Sequence, residues 1–202
     1  MRILFPGLLF FLYSASVNAA ELESVETNKV DDIYIVNLSI LVDVPESYAR
    51  SVLVDPDRFM AANPAIKKVE YLPQGENGNK RFRDTVHACA LFFCVTYQNV
   101  MQLRTLKNHD IELIVEPTAS DFEHGKVVWR TEALGDTFSR LSFYAENKPS
   151  FWTPPLIGTA IWQTRLASVV HETMRNVECD YHKITPCDIY PDLDIEDVDE
   201  AF

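Results

Sequence analysis

The sequence predicts an α+β fold in which a seven-stranded antiparallel sheet wraps around one long C-terminal helix, in the order β-α-α-β6-α. Three observations carry this. Residues 33–44 alternate, with Tyr34, Val36, Leu38, Ile40, Val42 and Val44 apolar on one face and Asn37, Ser39 and Asp43 breaking the other. Six strand-like runs follow at hairpin spacing, over 66–72, 80–88, 94–104, 111–116, 126–134 and 137–146. Finally, Trp162, Leu166, Val169, Val170, Met174 and Val177 recur as a helical stripe, uninterrupted by proline or glycine between Thr159 and Glu178. Nothing else in the chain can cover that stripe, so the sheet must curve around it.

The elements follow in order. Residues 1–19 read as a signal peptide: Arg2 is a minimal basic region, 3–13 an apolar run, and Val17-Asn18-Ala19 a small-residue cleavage site. The run is too short to span a bilayer as a helix. The mature chain is then 20–202, with 20–29 an N-terminal extension and 30–187 a single domain long enough to bury a core. Pro45 ends the first strand, 46–55 and 56–62 form two short helices, and Asn63-Pro64 closes the second. Thr153 is the expected N-cap of the last helix, with Pro154 at its first position, where a missing N–H costs nothing.

Charge excludes some functions. The chain carries a formal −12, and loss of Arg2 leaves −13. Residues 188–202 hold seven acids and no lysine or arginine, the composition of a solvated, disordered tail. The body, 20–187, has 17 basic and 23 acidic residues, which argues against nucleic acid and against electrostatic adhesion to anionic lipid.

Export changes the meaning of the four cysteines. In an oxidising compartment Cys89, Cys94, Cys179 and Cys187 form two disulfides; three pairings are formally possible, and closeness in sequence favours Cys89–Cys94 with Cys179–Cys187. Neither pair has finger spacing, and the five histidines form no ligand pattern, so no metal is expected.

In a meander, alternate turns lie at opposite ends of the sheet. The turns at 74–79, 107–110 and 135–136 are polar, whereas the other end carries Leu91, Phe92 and Phe93, then Phe122, then Phe151, Trp152, Pro154 and Pro155. A greasy rim at one end points to a mouth that admits, or docks onto, something hydrophobic. A Cys89–Cys94 bridge would close the hairpin tip. So small a loop gains about 2 kcal/mol, so holding the tip's shape is its purpose. Leaving Leu91, Phe92 and Phe93 in water forgoes roughly 5 kcal/mol, so either a membrane or partner covers them, or the tip folds back onto Trp152.

This order of elements resembles the START and Bet-v-type helix-grip (SRPBCC) superfamily, which includes polyketide cyclase/dehydrase and lipid-transport families. The likeness covers about residues 30–178. Its most specific pieces, Asn63-Pro64-Ala65-Ile66-Lys67-Lys68-Val69-Glu70 and Phe151-Trp152-Thr153-Pro154-Pro155-Leu156-Ile157-Gly158, are similar to bacterial members, which implies a periplasmic address. The resemblance implies a cavity between sheet and helix holding a hydrophobic ligand, but no single chemistry. The cysteines and the acidic tail are not part of that general pattern.

The residues expected to line such a cavity are Tyr97, Asn99, Met101 and Leu103 from one strand, Ile111, Leu113 and Val115, then Val127, Trp129 and Ala133, and Trp162, Leu166 and Val170 from the helix. Asn99 is the lone polar handle among them. The stripe also reads as plain core; the resemblance tips the balance to a pocket. No G-x-S-x-G, H-E-x-x-H or phosphate-loop motif occurs. An acid–base set of His171, Arg140 and Tyr144 is the weak catalytic candidate, against the simpler reading of His171 as a hydrogen-bonded boundary residue.

The expected function is a monomeric exported carrier or sensor for a lipid-like or polycyclic ligand, without cofactor and with transient membrane or membrane-protein contact. The alternatives are a cyclase- or hydrolase-like enzyme in the same cavity, which requires at least two ionisable side chains inside, and a partner-binding module using the rim and the acidic tail.

Overall fold

In the computed structural model, which describes residues 20–75, 78–90, 93–153 and 158–187, alternation and turn chemistry produce eight strands and three α-helices among the described residues. They run β1 (Glu21–Val30), β2 (Ile33–Val42), α1 (Glu46–Leu53), α2 (Pro56–Ala62), β3 (Ile66–Leu72), β4 (Lys80–Ala90), β5 (Phe93–Thr105), β6 (Ile111–Val115), a 3-10 turn (Pro117–Ala119), β7 (Phe122–Leu134), β8 (Phe138–Pro149) and α3 (Gly158–His182). The signal peptide and acidic tail expected at the two ends lie outside the described residues.

All strands join one antiparallel sheet in the order β1-β2-β8-β7-β6-β5-β4-β3. The helices α1 and α2 carry the chain from β2 across to the far edge at β3. Asp55 makes the α2 start: its carboxylate accepts from Asp57 N and Arg58 N, and Pro56 takes the first helical position. The even residues of β2, from Tyr34 through Val42, are all buried, as the alternation predicts.

The sheet has eight strands rather than seven. Residues read as an extension form β1, which turns back onto β2 through Asp31 and Asp32, at φ 47° and 65°. Two successive positive φ values are what a tight two-residue hairpin turn requires. The strand is hard to see in the sequence because a bulge between Leu22 and Ser24 shifts its register. Leu22 and Val25, three residues apart, therefore both pack on the core, and the period of two is broken.

The sheet's concave face holds α3 and the core, in which Trp129 meets Phe143 edge-on at 4.7 Å. The convex face carries cross-strand ion pairs instead: Arg81–Glu116, Arg104–Glu112, Arg130–Asp110 and Arg140–Glu23. Both disulfides are the local ones. Cys89 and Cys94 face each other across the β4–β5 hairpin with Cα atoms 4.0 Å apart, and Cys179 on α3 joins Cys187 at 5.7 Å. No helix among the described residues is long and apolar enough to cross a membrane.

Candidate ligand cavity

Alternation on β4 and β5 sets the floor of the cavity. Phe82, Asp84, Val86 and Ala88 point to the concave face, directly paired with Met101, Asn99, Tyr97 and Val95. The helix α3 lies over them, contributing Trp162, Arg165, Leu166, Val169 and Val170, while α2 and its flanks close one side through Pro56, Phe59 and Asn63. Between them is a cavity of about 250 Å³, its walls predominantly apolar.

Tyr97, Asn99, Met101, Leu113, Trp129, Trp162, Leu166 and Val170 all face this space. Ala133 does not: it has the inward parity but is exposed near the β7–β8 turn. At the end of the cavity bounded by Cys89, Phe151, Thr153 and Gly158, Tyr97 stacks on Phe151 at 5.7 Å and meets Phe122 edge-on at 5.1 Å. Trp162 stacks on Tyr34 at 5.4 Å, and Tyr34 Oη lies 3.0 Å from Thr153 Oγ1. Gly158 is required here, since a Cβ would stand 2.7 Å from that hydroxyl oxygen.

Of the rim residues, Phe122 is a buried wall residue, 3% exposed, rather than part of an open rim. It is the first residue of β7, and the bulge between Phe122 and His124 brings it onto the same face as Val127 and Trp129. Phe151 is half-buried against it, with ring centroids 5.5 Å apart. Trp152 stands out at 67% exposure. Leu91, Phe92, Pro154 and Pro155 lie outside the described residues, and of Phe93 only the backbone, pairing with Ala90, is described.

Asn99 is not the lone polar handle. Asp84 sits opposite it in the ladder, 4% exposed, accepting from Asn99 N at 3.2 Å and from the Asn99 side-chain amide. Burial outweighs those bonds and pushes the carboxyl up to about 7. Burial, aided by the Asp84 charge, also raises the Tyr97 hydroxyl well above the ordinary tyrosine range. With its amide donating to Asp84, Asn99 keeps a buried Oδ1 that has no partner. Arg165 likewise lines the cavity with a buried, unpartnered Nε. The sequence does carry a signal for Asp84, a carboxylate occupying one position of the apolar face Phe82, Val86, Ala88. Arg165 lies beside the apolar stripe of α3 and reaches the space from its edge.

The catalytic candidates are not brought together. Period two puts Arg140 and Tyr144 on the convex face, opposite buried Leu141 and Phe143. There Arg140 bonds Glu23 and Glu132, and the Tyr144 hydroxyl donates to Glu146. His171 lies beside β1 instead, its Nε2 donating to Ala20 O at 2.9 Å. His87 lies near Cys89 and Cys94, but the two sulfurs are joined to each other, and the imidazole is itself engaged, Nδ1 with Thr96 Oγ1 at 2.8 Å and Nε2 against Cys89 Sγ at 3.4 Å.

Neither a family model nor a curated protein sequence matches this chain. Solved structures do. A START superfamily protein from Mycobacterium smegmatis is similar with a TM-score of 0.59 at 14% identity, over 75% of this chain and 99% of that one. The Zhui aromatase/cyclase from Streptomyces sp. R1128 gives 0.56 at 16% identity, over 75% and 94%. A STAR-related lipid transfer protein from Xanthomonas axonopodis gives 0.55 at 11% identity, over 82% and 99%. The fold is therefore the START-like helix grip, with one added edge strand beyond the seven expected from the sequence.

Proposed function

We propose that this protein is an exported carrier or sensor that holds a compact hydrophobic molecule bearing one hydrogen-bond donor. The observation that carries this reading is the unpartnered Asn99 Oδ1 inside an apolar cavity of about 250 Å³. A buried amide oxygen without a donor costs about 1–3 kcal/mol, and a ligand hydroxyl or N–H recovers it. The volume lies just under the roughly 300–1,000 Å³ of ordinary ligand pockets, which favours a fused-ring or single-chain molecule over a two-chain lipid. The lipid-transfer and aromatase/cyclase names of the similar structures support a hydrophobic cargo. Access runs past Phe151 and Trp152 at the start of α3, and two local disulfides fit an oxidising, periplasmic compartment.

The test is native mass spectrometry of the protein purified from periplasm, followed by solvent extraction. A defined hydrophobic adduct is expected. Asn99→Leu should weaken a hydroxyl-bearing ligand by about tenfold or more while leaving its deoxy analogue within about twofold. A clean apo mass with no uptake from a lipid extract would overturn the reading.

One observation favours a second reading. Asp84, titrating at about 7, and Arg165 both face the cavity, so an acid and a cation border any molecule inside it. A cyclase-like enzyme would use Asp84 to move a proton near neutrality. Conversion of bound material over time, abolished by Asp84→Asn with binding retained, would decide for the enzyme.

A further inference from the structure

Asp84 belongs to the cavity, but a second buried carboxylate faces elsewhere. Glu178 on α3 is 2% exposed and is not among the cavity residues. One of its oxygens accepts from Asp43 N at 2.7 Å and the other from Ala20 N at 2.8 Å. Ala20 is itself 3% exposed, and its carbonyl accepts from His171 on the same helix. Two neutral N–H donors do not balance a buried charge, and burial pushes Glu178 up to about 7. Asp43 adds like charge beside it, while His182, paired with Asp43 at 3.3 Å, opposes it. Glu172 and Arg175 act on His171, seven residues before Glu178 on the same helix.

The sequence offers a source for a cation at this spot. Val17-Asn18-Ala19 reads as a cleavage site, and the residue after it is Ala20. We propose that processing leaves the α-ammonium of Ala20 seated on Glu178, so that removal of residues 1–19 completes a buried ion pair fastening β1 to α3. Hydrolysis of the Ala19–Ala20 peptide bond sends the water oxygen to the Ala19 carboxylate, and the released amine takes up a proton. The nitrogen that becomes charged is the one already 2.8 Å from the carboxylate. In the unprocessed chain the same contact is a neutral amide, and Glu178 remains without a full counter-charge from it. The pair draws the carboxyl back down and raises the α-amino group. This inference rests on the export part of the reading above and not on the ligand.

The experiment compares protein processed during export with the chain 20–202 carrying a Gly-Ser extension before Ala20. Intact mass of the processed protein should place the first residue at Ala20. Acylation of its α-amino group by an amine-reactive ester at neutral pH should be about tenfold slower in the folded protein than in the same protein unfolded in urea, as a pKa raised by one unit requires. The extended chain should melt about 5 °C lower, and Glu178→Gln should abolish that difference. A different first residue overturns the inference, and so does an α-amino group acylated equally fast folded and unfolded. Both decisive readings use the unsubstituted protein, so failure of Glu178→Gln to fold would not obscure them. Ligand uptake, measured on the same samples, reports on the carrier reading alone.

Discussion

At Asp84 two effects oppose each other. Burial disfavours the charge, the bonds from Asn99 favour it, and burial prevails, leaving a folded pKa of about 7. The unfolded chain titrates near 3.9. The folded state thus binds its proton more tightly, and stability declines as pH rises. The contribution is fully present below about pH 4, falls through the window up to about 7, and is flat above it. Three pKa units correspond to roughly 4 kcal/mol, an upper bound for this side chain. Asp84→Asn should therefore raise the melting temperature at pH 8 and flatten the profile between pH 4 and 7. Melting scans of both proteins across that range check it; a variant that keeps the slope would mean the carboxyl is solvated. Because Glu178 has the same sign until its partner is charged, the comparison belongs in the processed protein.

Among the elements, the start of α3 is the most tightly specified. Gly158 leaves room for Tyr34, whose hydroxyl would otherwise meet a Cβ at 2.7 Å. The next atom of that ring stands 3.6 Å from the same point, an ordinary contact. Gly158→Ala should cost about 1–3 kcal/mol in the presence of Tyr34, and under 1 kcal/mol alongside Tyr34→Phe. Equal costs in both backgrounds would show that the hydroxyl is not the obstacle, and a double-mutant cycle by urea unfolding measures this. Legibility also differed by element. The stripe of α3 and the alternation of β2 are visible because each buries one face against an unbroken neighbour. The strand β1 is not, since its bulge puts Leu22 and Val25 on one side at a spacing no regular strand has. The same kind of irregularity at Phe122 made a wall residue resemble a turn residue. Arg140 failed for the simplest reason, a parity count: its neighbours Leu141 and Phe143 take the inward positions.

For the whole molecule, the sequence supports the grip and most of the cavity's apolar lining, because both follow from periodicity. On the polar chemistry inside it goes less far: it marks Asn99, and shows Asp84 only as a carboxylate interrupting an apolar face. The pairing of Asp84 with Asn99 emerges from the register of β4 on β5, which is fixed by the hairpin as a unit. A cavity of this kind couples binding to global stability. A ligand present at 100 times its dissociation constant should add about 2.7 kcal/mol and raise the melting temperature by about 5–10 °C. Thermal shifts against a fractionated lipid extract would find the active fraction; no shift from any fraction would speak against a preformed binding site.

The pairing of the cysteines has a consequence in time. Each bridge joins thiols that are neighbours in the order the chain is made, Cys89 with Cys94 and then Cys179 with Cys187. The second closure begins at Cys179, 85 positions after the first one ends at Cys94. An oxidant that simply joins each new thiol to the last unpaired one generates the native set, and no shuffling enzyme is called for.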